Sequence, residues 1–383
     1  MTYLSNWTPI DVAPEAGPTR TEIRALIDDA VSHLSTSDRA RSWSARDEEF
    51  SRTLGARGWI GITWPREFGG EEAGHLVRYR IAEELIAAGA PVAAHWFADR
   101  QSGAMLLRYG SDAQKRRFLP AMARGELYFC IGMSEPGAGS DLSALSTGAR
   151  RVEGGWKVNG SKIWTSHADH SHYMIALVRT DSAVENQHKG LSQLLVDLAS
   201  PGVAIRPIVD QMGEQHFCET FLDDVFVPDD MVLGEVGHGW EQVTTELAFE
   251  RSGPERYLSS HVLVEKALAS IDAEASDDVS ALVGGWAAEI WTLRQMSLSV
   301  AAKLDRGENP MIEASIVKDL GARFEQAVPR ELQALCEDPC FSGWDDDLDE
   351  TLHFLLGTSV CFSLRGGTRE ILRGIIARGL GLR

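Results

Sequence analysis

Ten residues, GMSEPGAGSD from Gly132 to Asp141, combine glycines, serines and acids in a pattern suited to holding an anionic or electron-rich ligand. Small side chains there let backbone N–H groups and hydroxyls approach such a ligand closely. A second candidate is the carboxylate of Glu250, in TTELAFERSGPERYL. Read as one helix, Val243, Leu247, Glu250, Tyr257 and His261 fall near one face, so that Glu250 interrupts a largely apolar stripe. A carboxylate among apolar side chains loses solvation and its pKa rises, which suits a general base. Glu255 lies five positions on and about 140° around the same helix, and ranks below it. Pro254 cannot donate to the Glu250 carbonyl and crowds it, so a kink is expected just after the candidate base. A third stretch, CFSLRGGTREILRGIIAR from Cys361 to Arg378, joins a Gly-Gly-Thr turn to an arginine-bearing apolar helix.

The elements that must position these groups are legible in outline. From about Thr19 to Leu127 the chain reads as helices: RTEIRALIDDAVSHL and HLVRYRIAEELIAAGA carry apolar residues at three- and four-residue spacing. GSDAQKRRFLPAMARGE adds a polar helix start and a proline-bearing connection. Near Tyr128 the texture changes. WKVNGSKIW places Asn159-Gly160 between two short runs, a hairpin signal, and YMIALVR, SQLLVDL, VAIRPIV and TFLDDVFVP follow as strands. Helical texture returns after LGEVGHGW. Three domains are expected: helical over 1–126, all-β over 127–232 and helical over 233–383.

Composition removes several classes of function. The 383 residues hold 37 Lys and Arg against 56 Asp and Glu, a net charge of −19, which makes nucleic acid and anionic membrane surfaces poor partners. The five cysteines are too scattered for a disulfide framework, and Cys336-x-x-x-Cys340 lacks the second pair a metal site needs, so no metal is expected. MTYLSNWTPIDVAPEAGP lacks a basic start followed by an apolar run, so no signal peptide is expected there, and no uncharged apolar run is long enough to span a bilayer. A reducing cytoplasm is the expected location.

Taken together, GMSEPGAGSD, VNGSKIWTSHA, MGEQHFCETFLDDVFVPDDMVLGEVGHGW, LAFER and GGTREILRGIIARGLGL resemble, in order, the marks of the acyl-CoA dehydrogenase family. The resemblance runs from about residue 20 to the end. It implies an all-α N-terminal domain, a central β-barrel and a C-terminal four-helix bundle. It also implies FAD-dependent α,β-dehydrogenation of an acyl-CoA thioester, with electrons passed to an electron-transferring flavoprotein. By that resemblance Ile131, Met133 and Ser134 contact the flavin ring, Gly139 and Ser140 lie near its pyrophosphate and the CoA, and Trp164, Thr165 and Ser166 flank the ring. Thr368 and Glu370 also match cofactor positions, while Ser140, Phe249, Arg251 and Gly366 match the substrate side.

In many members the base immediately precedes the C-terminal Gly-Thr; here that residue is Gly366, whose N–H could still serve the thioester oxygen. Other members carry the base in a Glu-Arg motif, matched by Glu250-Arg251. The kink after it then leaves room for a branched or bulky acyl group. Two family motifs that hold the ADP half of a neighbour's FAD, Arg-x-x-Phe-Gly and Gln-x-x-Gly-Gly, are missing. In their places stand IDAEASDDVSALVGGW and EDPCFSGWDDDLDE, the latter with an acidic run that either repels a nearby pyrophosphate or is a solvated surface loop; on both readings the chain is a poor donor of the ADP-binding half. Several readings stay open: a catalytic subunit paired with a different family subunit and acting on a steroid-CoA, a homo-oligomer with altered flavin contacts, an oxidase using O₂ directly, or an FAD-poor, non-catalytic partner subunit.

Overall fold

The computed structural model describes residue 7, residues 17–272 and residues 275–382, with the backbone alone over 245–250. Helices α1 (Arg20–Val31), α2 (Thr36–Arg41), α3 (Glu48–Ala56), α4 (His75–Ala87), α5 (Ala93–Phe97), α6 (Gly103–Tyr109) and α7 (Asp112–Ala123) come first. Strands β1 (Phe129–Gly132), β2 (Gly148–Val152), β3 (Gly155–Ser166), β4 (Tyr173–Arg179), β5 (Leu191–Asp197), β6 (Val203–Ile208), β7 (Phe217–Pro228) and β8 (Val232–Leu233) follow. Helices α8 (Gly239–Glu250), α9 (His261–Ala269), α10 (Asp277–Asp305), α11 (Met311–Ala334), α12 (Asp346–Thr358) and α13 (Arg369–Gly379) complete the chain. The expected helix–strand–helix order is therefore present. None of the described helices is long and apolar enough to cross a membrane.

The chain forms two compact units. One gathers residues 1–47, 73–92 and 248–383; the other gathers 48–72 and 93–247. The second unit is built on a sheet of order β6-β7-β3-β2-β4-β5-β8, mostly antiparallel, with β1 added parallel to β4. Among the described residues no ladder joins β6 to β8, so the expected barrel is not closed by hydrogen bonds. β4 is apolar and buried on both faces, from Met174 to Val178, because Phe118, Phe129 and Trp64 pack in the same core.

The Asn159-Gly160 hairpin is not what forms. These residues lie inside the twelve-residue β3, where the register against β7 shifts between Val158 and Gly160. Gly160 has φ +146°, and a Cβ there would meet Thr147, while Asn159 exchanges hydrogen bonds with Asp224 across the ladder. A flexible dipeptide inside a strand has marked a bulge rather than a turn; the β2–β3 turn falls at Glu153-Gly154. Pro120 likewise sits in the last turn of α7 instead of a connection.

In the same unit, His95 on α5 is 4% exposed, and its Nδ1 pairs with Ser51 Oγ at 2.9 Å. Burial lowers its pKa to about 4, despite the raising influence of Asp99. The folded state therefore keeps the ring neutral where the unfolded chain already protonates. Stability from this group is complete above pH ~6.5 and drains away as pH falls from there toward 4, by about 2 kcal/mol between pH 7 and pH 5. His95→Gln should flatten that acid dependence in thermal melts; identical slopes in both proteins would count against it.

In the first unit, Ile23, Ile27 and Val31 form the buried stripe of α1, whose start is fixed by a Thr19–Glu22 capping box. The acidic run opens α12 instead of forming a loop, although most of its carboxylates are exposed as expected. Asp345 caps α12 through Leu348 N–H, and Asp347 accepts from the Thr36 and Ser37 amides at the start of α2. Lys266 on α9 pairs with both carboxylates. The run thus satisfies orphan donors of another helix and complements its dipole.

Candidate active site

The residues singled out in the sequence fall on both units. On the β unit, Gly132 ends β1 and the loop leaves it with Met133 and Ser134 half-buried and Gly139 and Ser140 exposed. Ile131 pairs with Ile175 of β4 and is half-buried. The loop is tied down by Glu135, whose carboxylate accepts from Ser146 N–H at 2.6 Å, Ser146 Oγ at 2.9 Å and Thr147 N–H at 2.9 Å. Its fourth donor is Lys162 Nζ at 2.8 Å.

Burial alone would raise the Glu135 pKa, but the Lys162 charge and these donors outweigh it and hold the carboxyl at about 2. Burial, partly offset by Glu135, lowers the Lys162 ammonium to about 8. Both groups are charged at neutral pH. Sequence reading missed this pair; the available signal was a lysine at an otherwise apolar place in a β-rich run and a lone glutamate among small residues.

Beyond Lys162 the ladder to β7 shifts again before Thr165, and Trp164 takes φ +59°. The shift turns Trp164 outward: it is 55% exposed and meets Phe217 edge-on at 5.8 Å. Thr165 is buried, and its Oγ1 has no partner among the described residues. The hydroxyls of Ser134 and Ser166 make no hydrogen bond among the described residues. Open space surrounds the positions where Gly137 and Gly139 would carry a Cβ. An exposed indole, unpartnered hydroxyls and an open glycine loop on one unit suit a flat, polar-edged ligand such as flavin.

On the helical unit, α8 ends at Glu250; the side chains of Phe249 and Glu250 lie outside the described residues. The continuous helix assumed for the stripe does not exist. Gly253 is extended, at φ −72° and ψ 168°, as expected before a proline, and Pro254 opens a short 3₁₀ turn before α9 begins at His261. Tyr257 and His261 therefore do not share a helix with Glu250, and the kink is a full break. Glu255 is 2% exposed, with its carboxylate folded back over Gly253 and 3.4 Å from Arg256.

Arg251, 3% exposed, donates from Nε to the Gly366 carbonyl at 3.2 Å. Gly366 and Gly367 have φ +67° and +100°, a turn that side-chain-bearing residues resist. A Cβ on Gly366 would lie 3.1 Å from Arg256 Nη2, so the guanidinium stands in the space a side chain would use. Thr368 caps α13, accepting from Ile371 N–H at 3.5 Å, and Glu370 is exposed in its first turn.

Comparison with known proteins agrees with this layout. Models of the acyl-CoA dehydrogenase N-terminal and middle domains match residues 14–126 and 130–225. Acyl-CoA dehydrogenase IpdE1 of Mycobacterium tuberculosis is 34% identical over 353 residues, covering 89% of this chain and 88% of its own. The chain belongs to the acyl-CoA dehydrogenase family. Acyl-CoA dehydrogenase FadE34 of the same organism is also 34% identical, over 346 residues, and the chain spans 46% of its length. Among solved structures, the "Tcur3481-Tcur3483 steroid ACAD" superposes with a TM-score of 0.84 at 27% identity, covering 95% of this chain and 96% of that one. Members of the acyl-CoA dehydrogenase family are oxidoreductases, and their cofactor is FAD.

Proposed function

We propose that this chain dehydrogenates an acyl-CoA thioester between its α and β carbons, with Glu250 removing the α-proton. The observation that carries the reading is the Gly366–Gly367 turn. Position 366 has no side chain, and Arg256 stands where one would be, which leaves Glu250 as the carboxylate of the family's alternative position. Glu255 lies beyond the end of α8 in the 3₁₀ turn, 3.4 Å from the Arg256 guanidinium, and is a poor candidate. FAD, when bound, supplies the acceptor for the β-hydride.

The chain's own residues do the rest. Ser134, Ser166 and the exposed Trp164 would hold the flavin ring, with Ile131, Met133 and Thr165 beside it and Gly139 and Ser140 along the diphosphate. The Gly366 N–H would donate to the thioester oxygen as negative charge develops there. Arg251 fixes that turn through the Gly366 carbonyl.

The acyl group proposed is a steroid-like or other bulky one. Support comes from the similarity to a steroid ACAD and from the broken helix after Glu250. An electron-transferring flavoprotein is the proposed acceptor. The assembly proposed is heteromeric: the neighbour-serving motifs are absent, Asp345 and Asp347 are spent on this chain's own α2 and Lys266, and the similar structure bears two names joined.

The chain purified alone should carry little flavin, and co-production with a second family subunit should restore flavin and bleaching by steroid-CoA. Full flavin occupancy in a homo-oligomer would remove the heteromeric reading. Absence of bleaching with every acyl-CoA, in a flavin-loaded complex, would remove the dehydrogenase reading.

A further inference from the structure

Lys162 is an ammonium group buried to 0% exposure in the middle of a strand, and the chemistry proposed above gives it no task. Its two contacts suggest one. Nζ donates to Glu135 Oε1 at 2.8 Å and to the Met133 carbonyl at 3.2 Å. We propose that Glu135 and Lys162 are positioning residues that aim the backbone N–H of Ser134 at the flavin ring. This rests on the reading that flavin lies on the 132–141 loop.

The argument is one of peptide geometry. No peptide bond among the described residues is cis, so the Met133–Ser134 unit is planar and trans, with its C=O and N–H pointing in opposite directions. Lys162 holds that C=O inward. The Ser134 N–H is thereby turned away from the lysine, and no acceptor for it exists among the described residues. The next peptide is fixed from the same strand: the Ser134 carbonyl accepts from Ile163 N–H at 2.9 Å. Glu135 N–H then closes on Ala138 O at 2.9 Å, shaping the turn that follows. Two consecutive residues of β3 thus grip the two consecutive carbonyls on either side of one free amide.

The fit beneath the loop is close. A Cβ on Gly132 would collide with Met174 Sδ and press on Lys162 Cγ at 3.3 Å, so the backbone rests directly on the lysine stem. Glu135 serves both ends of the device. It neutralises the ammonium, which would otherwise be a buried unpaired charge, and through Ser146 and Thr147 it anchors the far side of the loop. A flavin's pyrimidine edge carries carbonyl oxygens, and an outward N–H held from behind is the donor they need.

The test uses the protein with whatever partner it requires for flavin. Removing both charges with Glu135→Gln and Lys162→Met together avoids a stranded ion, and such exchanges are often tolerated. The double variant should melt near the wild type yet bind FAD at least tenfold more weakly, with a displaced visible absorption band. In wild-type protein, FAD should slow hydrogen exchange at the Ser134 amide. A folded double variant binding FAD within twofold of wild type would overturn the proposal. So would a Ser134 amide that exchanges equally fast with and without FAD, a result available even where the variant fails to fold. Wild-type protein that takes up no FAD in any assembly would instead sink the flavin reading itself, and this proposal with it.

Discussion

Glu250→Gln should leave flavin content and acyl-CoA binding near wild type while dehydrogenation falls by about 10²–10⁴-fold, the range a positioned general base contributes. The amide keeps the shape of the side chain and removes its ability to take a proton. The measurement is the rate of flavin bleaching after anaerobic mixing with substrate, beside substrate affinity from equilibrium titration. A loss confined to the bleaching rate places Glu250 in proton removal. Unchanged turnover removes it from the mechanism, and a loss confined to affinity makes it a binding group. Position sharpens the expectation: Glu250 is the last residue of α8, and its neighbour Arg251 is clamped to the Gly366 carbonyl. The base is thus carried on a backbone stitched to the turn whose N–H is proposed to serve the thioester.

The largest stability effect is expected at Glu325 on α11, which is 1% exposed. Its carboxylate accepts from the Ser259 N–H at 2.8 Å and from Arg365 Nη2 at 3.0 Å. Arg365 also donates to Ser259 Oγ and the Glu255 carbonyl, and its guanidinium lies over Phe362 and Trp43. Glu325→Ala would leave a largely buried guanidinium without its counter-ion and the Ser259 N–H without its acceptor. The expected loss is about 3–5 kcal/mol, or on the order of 10 °C in the melting temperature of a unit this size. Glu325→Gln with Arg365→Met, which removes both charges, should recover most of it. A single variant within ~1 kcal/mol of wild type would show that the network is not the strut it resembles. Because Arg365 directly precedes Gly366, the single variant should also disturb the turn proposed for the thioester oxygen.

How much of this was legible in the sequence differs by element. YMIALVR became β4 over its whole length, because a continuous apolar run has nowhere to go except a strand buried on both faces. The periodic helices α1 and α4 were equally plain. Asn159-Gly160 misled because local flexibility serves a bulge as well as a turn, and the cross-strand partner Asp224 that decides between them lies 65 residues away. The stripe through Glu250 misled because angular bookkeeping continued a helix across Gly253-Pro254, whose local chemistry ends it. The empty position at Gly366 was visible, but Arg256 filling it was not, since proximity across more than a hundred residues leaves no periodic trace. The same holds for Asp347, which looked solvent-bound until α2 supplied amides for it.

The division of the chain has a consequence for biosynthesis. The polypeptide passes between its two units at residues 47–48, 72–73, 92–93 and 247–248, so the helical unit draws on both the first and the last parts to be translated. The amides of Thr36 and Ser37 wait for a carboxylate 311 and 310 positions later. At 5–20 residues per second, that delay is roughly 15–60 s. During it, α1 and α4 can pack on each other, but the faces of α4 and α2 that meet α10, α9 and α12 stay uncovered, whereas the β unit has its full complement by residue 247. Nascent chains halted once that residue has emerged from the ribosome should therefore show a protease-resistant β unit and an N-terminal segment still open to cleavage and to holdase chaperones.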